Sequence, residues 1–205
     1  LIAVFCTAQA ALYFPEIADG GVIRQELTWL PALGLNLGLS AGAQAHVTLD
    51  QPQAVAGSAY KAVFKVGHAC GEGQSTTAIT VRVPEGFRGA QPVPKAGWTL
   101  SVQRAALAQP YEAHGHAVKD DVVEVRWQAQ GPATALPGAY YDEFVLRGTP
   151  AGPAGPLWFK VLQGCDGGQS DWAEVPASGT ATRGLKAPAA LLEVLPPATP
   201  AAHVH

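Results

Sequence analysis

Tyr60-Lys61-Ala62-Val63-Phe64-Lys65-Val66 is the stretch that decides the fold. Tyr60, Ala62, Phe64 and Val66 point one way and Lys61, Val63 and Lys65 the other, the two-residue period of an extended strand with one buried and one wetter face. The alternation recurs downstream. Thr77, Ile79, Val81 and Val83 oppose Thr76, Ala78, Thr80 and Arg82; Val123, Val125, Trp127 and Ala129 oppose Glu124, Arg126 and Gln128. Working outward, the sequence predicts further strands over 46–49, 98–104, 139–147, 157–163 and 171–175. Turn chemistry separates them at Pro84-Glu85-Gly86, Pro94-Lys95-Ala96-Gly97, Leu136-Pro137-Gly138, Gly152-Pro153 and Asp166-Gly167-Gly168. No window sustains a 3.6-residue apolar stripe beyond three turns. About seven or eight short strands at this spacing predict an all-β fold, an antiparallel sandwich of the immunoglobulin or fibronectin type. The sandwich domain is expected over residues 46–182. After it, 183–205 reads as an Ala/Pro-rich tail with an edge strand at 191–195.

Composition narrows the function. The chain has 205 residues and a formal net charge of -3, which leaves no basic surface for phosphates and excludes nucleic acid as a partner. A hydrophobic fraction of 48% supplies a core and argues against general disorder. Met is zero, so no thioether can hold a soft ion such as Cu(I). There is no nucleophile elbow, no phosphate-cradling glycine loop and no His-Glu-x-x-His helix.

Residues 1–45 read as a leader. Two apolar runs, 1–15 and 27–39, flank a charged stretch, and the second is followed by Ala43-Gln44-Ala45, the small-x-small triplet of a secretory cleavage site. Pro31 and Asn36 and the short run argue against a transmembrane helix. Thr28-Trp29-Leu30-Pro31-Ala32-Leu33-Gly34-Leu35-Asn36-Leu37 also resembles a stretch near the start of large cation/proton-antiporter subunits, and residues 1 to about 30 read as start-site or assembly debris. Export to the periplasm or another extracytoplasmic space is therefore expected. Loss of Cys6 with the leader leaves Cys70 and Cys165, which an oxidising compartment would permit to bridge. Two buried free thiols are the alternative.

Cleavage after Ala45 would make His46 the first residue. Its α-amine and imidazole Nδ1 could then close one chelate ring on a metal, which no internal histidine can offer. The amine must lose a proton to do so, and Cu(II) is the divalent ion best able to displace it. Two nitrogens and a carboxylate oxygen suit the tetragonal preference of Cu(II). Read alone, His46 is first a bystander at a leader boundary, with the metal reading as the alternative.

Ala45-His46-Val47-Thr48-Leu49, Pro84-Glu85-Gly86, Pro94-Lys95-Ala96-Gly97-Trp98, Leu136-Pro137-Gly138-Ala139-Tyr140-Tyr141-Asp142-Glu143-Phe144, Leu157-Trp158-Phe159, Gly164-Cys165 and Asp171-Trp172 occur in the order found in the YcnI-like copper-binding proteins. The chain resembles that family over about residues 46 to 195, with Ala96 in place of the family's second turn proline. The resemblance implies an exported β-sandwich that binds Cu(II) through a mono-histidine brace. His46 would supply amine and imidazole, Glu143 a carboxylate, and Trp172 would stand beside the metal. A periplasmic copper chaperone or a membrane copper transporter would be the partner, and copper capture, delivery or resistance the role, without turnover. Read from the residues alone, Trp172 is a core aromatic of a late strand, and the alternative for Glu143 is a solvated strand glutamate. Two other functions compete: a metal-free structural or adhesive sandwich, and a brace-copper oxidase, against which the single histidine counts. His114-Gly115-His116 with Glu112, and His203 and His205 in the tail, read as weak metal-binding loops or solvated segments, and His68 as structural beside Cys70.

Overall fold

A computed structural model describes residues 46–197; the predicted leader, Cys6, His203 and His205 lie outside them. Twelve strands run in order: β1 Thr48–Leu49, β2 Gln53–Val55, β3 Tyr60–Val66, β4 Ser75–Arg82, β5 Phe87–Pro92, β6 Trp98–Ala113, β7 His116–Ala129, β8 Leu136–Pro137, β9 Asp142–Pro150, β10 Gly155–Cys165, β11 Gly168–Trp172 and β12 Ala190–Leu195. They make a four-stranded sheet, β1-β3-β9-β5, and an eight-stranded one built on β2-β12-β10-β4-β7-β6, with β11 on β10 and β8 on β4. Strand pairing is antiparallel except for β2 with β12. The predicted all-β sandwich is the observed architecture.

The alternating stretches supply the inner faces. Ala62 and Phe64 of β3 and Phe144 and Leu146 of β9 face Ile79, Val81, Val125, Trp127, Phe159, Val161 and Leu192 of the larger sheet in one buried cluster. Aromatic rings bridge the sheets edge to face, Phe64 with Phe159 at 5.4 Å and Trp127 with Phe144 at 5.7 Å. Each such pair adds about 0.5–1.5 kcal/mol beyond its area burial. In β4 the second face is buried too, at Thr76, Ala78 and Thr80. There Arg126 Nη1 donates to Thr80 Oγ1, and Gln128 Nε2 donates to the Thr77 carbonyl. A central strand roofed by its neighbours' long side chains therefore loses the wet face that alternation suggests.

The sheet reaches into the stretch read as a tail. β12 lies between β2 and β10, not at an edge, with Ala190, Leu192 and Val194 buried. The strand expected at 191–195 is thus present, and the correction concerns its place: pairing with both β2 and β10 is a long-range fact that its local sequence does not carry. Cys70 and Cys165 are bonded, Cα to Cα 6.0 Å, clamping the loop after β3 to the end of β10. The bridge settles the choice left open between paired and free thiols. Closing a loop of 95 residues stabilises the fold by roughly 4–5 kcal/mol in the chain-entropy account.

Candidate metal centre

One end of the sandwich gathers the start of β1, the end of β3, the start of β9, the disulfide and the β10–β11 hairpin. Register aligns much of it. Thr48 pairs with Lys65, and Lys65 with Glu143, so these three form one row across β1, β3 and β9. Val47 and Leu49 are buried between them and the other sheet, which anchors His46 at the head of β1.

His46 meets Trp172. Their ring centroids are 5.5 Å apart with planes at 50°. Trp172 ends β11, 7% exposed, and therefore belongs to the core while also walling the end of the sandwich. Its Nε1–H donates to Gln163 Oε1 at 3.0 Å. The indole nitrogen is thus committed, and the ring can cover a neighbour but not ligate it. His68 lies on the same indole, centroid 5.8 Å and nearly perpendicular, with its Nδ1 2.6 Å from the Ala69 carbonyl.

Glu143 lies two strands from β1, level with Thr48, the second residue after His46. It is exposed. Its partner is Tyr141, whose hydroxyl donates to Glu143 Oε1 at 2.8 Å. Desolvation first, then the Glu143 hydrogen bond and the charges of Glu143, Asp50 and Asp142, push the Tyr141 phenol up to about 12. Lys95 donates to Asp142 Oδ1 at 2.6 Å and to the Glu143 carbonyl at 3.3 Å, fixing the strand on which the carboxylate rides. Gly67, at the end of β3 between these neighbours, leaves the space above it open; a Cβ there would meet only Tyr141, at 3.9 Å.

The structure therefore joins His46 to Trp172 directly and places Glu143 on the same end, held by Tyr141. Among the described residues no three His, Cys, Asp or Glu side chains converge on one point. A brace does not require that, since it takes two donors from a single residue. Were cleavage to free the His46 amine, its two nitrogens, the Glu143 carboxylate bonded by the Tyr141 phenol and the apolar Trp172 wall would suit a cupric ion. Sequence reading missed Lys95, Tyr141, His68 and Gln163 as members of this end. Lys95 and Tyr141 stand inside quoted motifs and could have been found there. Gln163 announced itself only as a polar residue within the apolar run of β10.

The other described histidines, His114 and His116, lie elsewhere. His114 and Gly115 form the two-residue tip of the β6–β7 hairpin, both with positive φ, 51° and 77°. That pair of angles matches the mirror-image turn preferred in tight hairpins, and histidine is among the residues that tolerate it.

Residues 46–194 match the sequence model of a family described as "Domain of unknown function (DUF1775)", the family to which the YcnI-like proteins belong. A crystal structure of an uncharacterized protein from Nocardia farcinica, described as revealing an immunoglobulin-like fold, superposes with a TM-score of 0.57 at 26% identity. The similarity covers 73% of this chain and 98% of that one. No curated protein matches.

Proposed function

We propose, from the premise that this chain belongs to the DUF1775 family, that it is an exported Cu(II)-binding protein that captures copper and hands it on without chemical turnover. The observation that carries the reading is the position of His46. It is the first residue of the matched region, its ring lies against Trp172, and it heads the strand whose row ends at Glu143. Removal of residues 1–45 would expose the amine that completes a two-nitrogen chelate.

Copper is cargo in this reading. His46 would bind it through amine and imidazole, Glu143 would add an oxygen and offset charge, and Tyr141 would hold that carboxylate in place through its hydroxyl. Trp172 would exclude water from one side. An exposed, open rim over Gly67 suits release to a second protein, a periplasmic chaperone or a membrane transporter, better than it suits a buried catalytic centre.

The test compares protein beginning at His46 with protein carrying one extra residue before it. The first is expected to bind one Cu(II) with a type-2 electron paramagnetic resonance spectrum, and the second to lose most of that affinity. Equal binding by both overturns the brace. A flat titration of correctly processed protein favours the metal-free adhesive sandwich instead.

A further inference from the structure

We infer that Gln163 is the positioning residue of this end of the molecule: its side-chain amide sets the orientation of the Trp172 indole beside His46 and ties it to the disulfide-clamped loop that carries His68. The inference rests on the copper reading for its functional meaning, but its geometry stands independently of any metal.

Gln163 is a fully buried polar side chain near the end of β10, two residues from Val161 of the core. Such a group is tolerated only when its polar atoms find partners. It pairs across the ladder with Ser170, two residues before Trp172, so the amide and the indole are diagonal neighbours on adjacent strands. Its carbonyl oxygen accepts from Trp172 Nε1 at 3.0 Å. Its amide nitrogen donates to the His68 carbonyl at 2.7 Å and to Thr76 Oγ1 at 2.8 Å. Both N–H groups are used, and the oxygen faces the donor.

The orientation of the amide admits no exchange. A flipped amide would put N–H against N–H at the indole and oxygen against oxygen at His68. Asparagine is one methylene short of all three partners. A glutamate carboxylate keeps the acceptor, loses both donors and leaves a buried charge against the His68 carbonyl. Leucine fills the volume and makes none of the bonds. The loop contacted through His68 is itself fastened two residues later at Cys70, whose amide N–H lies 3.0 Å from Cys165 Sγ. One side chain thus connects the loop that the bridge fastens, β4 and the indole. It touches none of the proposed ligands and would act through Trp172.

The experiment uses the domain beginning at His46 and reads two quantities. The first is the indole N–H resonance of Trp172 in a nitrogen-proton correlation spectrum, assigned by its disappearance in Trp172→Phe and recorded without metal. The second is Cu(II) affinity. Gln163→Leu is expected to shift that resonance upfield and to speed its exchange with solvent at least tenfold. Cu(II) affinity is expected to fall about tenfold or more, the usual effect of losing a group that orients a metal site from behind. Thr76→Val, which removes one anchor of the amide but leaves its bond to the indole, gives a smaller shift in the same direction and keeps the test open if the leucine variant does not fold. A folded variant with an unmoved indole resonance overturns the positioning role. A moved resonance with unchanged copper affinity reduces Gln163 to a structural residue and overturns the functional inference. If the unsubstituted domain binds no Cu(II), the copper reading fails, and the resonance alone then decides whether Gln163 sets the indole.

Discussion

Two places in the described structure bring a pair of histidines close in space, and they are built differently. At the disulfide end, His46 and His68 come from separate elements and lie on one indole, whose nitrogen is held by a buried glutamine behind which stands a covalent bridge. At the far tip of the β6–β7 hairpin, His114 and His116 flank Gly115, exposed and held only by the ladder of two strands. Sequence spacing makes the second pair the more conspicuous. Physics favours the first, because a ligand's worth depends on how little it must be ordered when the ion arrives, and that ordering is supplied by what lies behind it. The hairpin tip rests on the β6–β7 ladder.

The largest expected break in this contrast comes from removing the bridge. Cys70→Ser with Cys165→Ser should lower unfolding stability by roughly 4–5 kcal/mol, read from urea or thermal denaturation of the domain. The disturbance should concentrate at the end that carries His68, Gln163 and Trp172. Hydrogen exchange of the amides in 67–74 and 163–172 should quicken more than that of the β6–β7 tip. If both ends loosen equally, the bridge acts on the unfolded chain alone and the claim that it braces the site fails.

How much of this was legible beforehand follows from which forces act locally. β3, the inner face of β4 and the inner half of β7 could be read because one wet face and one dry face leave a two-residue period in the sequence. β5 escaped because its ladder shifts between Arg88 and Gln91, near Gly89 at positive φ, and an irregular register erases the period. The outer half of β6 escaped for another reason: its residues through Pro110 are almost all exposed, so neither face selects apolar side chains. Motif order and the position of His46 named three candidate residues, of which the structure brings His46 and Trp172 into ring contact. The supports of that end were not legible. That Gln163 answers Trp172 and His68 is a fact of strand register and loop closure over 95 residues, which no local pattern encodes.

The hairpin histidines supply the converse test, with a small expected effect. His116→Ala removes an exposed side chain from a strand end and should change stability by no more than about 0.5 kcal/mol. Cu(II) affinity at the His46 end should stay as it was. Loss of copper from this variant, with affinity kept in a His46 substitution, would show that the tip, and not the indole-backed end, holds the ion.

The smallest effect sharpens the carboxylate side of the same end. Tyr141 is 56% exposed, yet its phenol is pushed up to about 12, by desolvation first and then by Glu143 and its acidic neighbours. The ordinary value is 10.0. The folded form therefore holds the proton more tightly than the unfolded chain does. The stability this contributes is present in full below pH 10 and is lost as pH rises from there through about 12, because the unfolded state releases the proton first. Ultraviolet titration of Tyr141, isolated as the difference between the domain and Tyr141→Phe, should show phenolate only near the top of that window. Glu143→Gln keeps an acceptor for the hydroxyl but removes the nearest negative charge, so the midpoint should move down towards 10. An unmoved midpoint would mean that the phenol does not feel Glu143. The hydrogen bond said to orient that carboxylate would then contribute nothing to this end of the molecule.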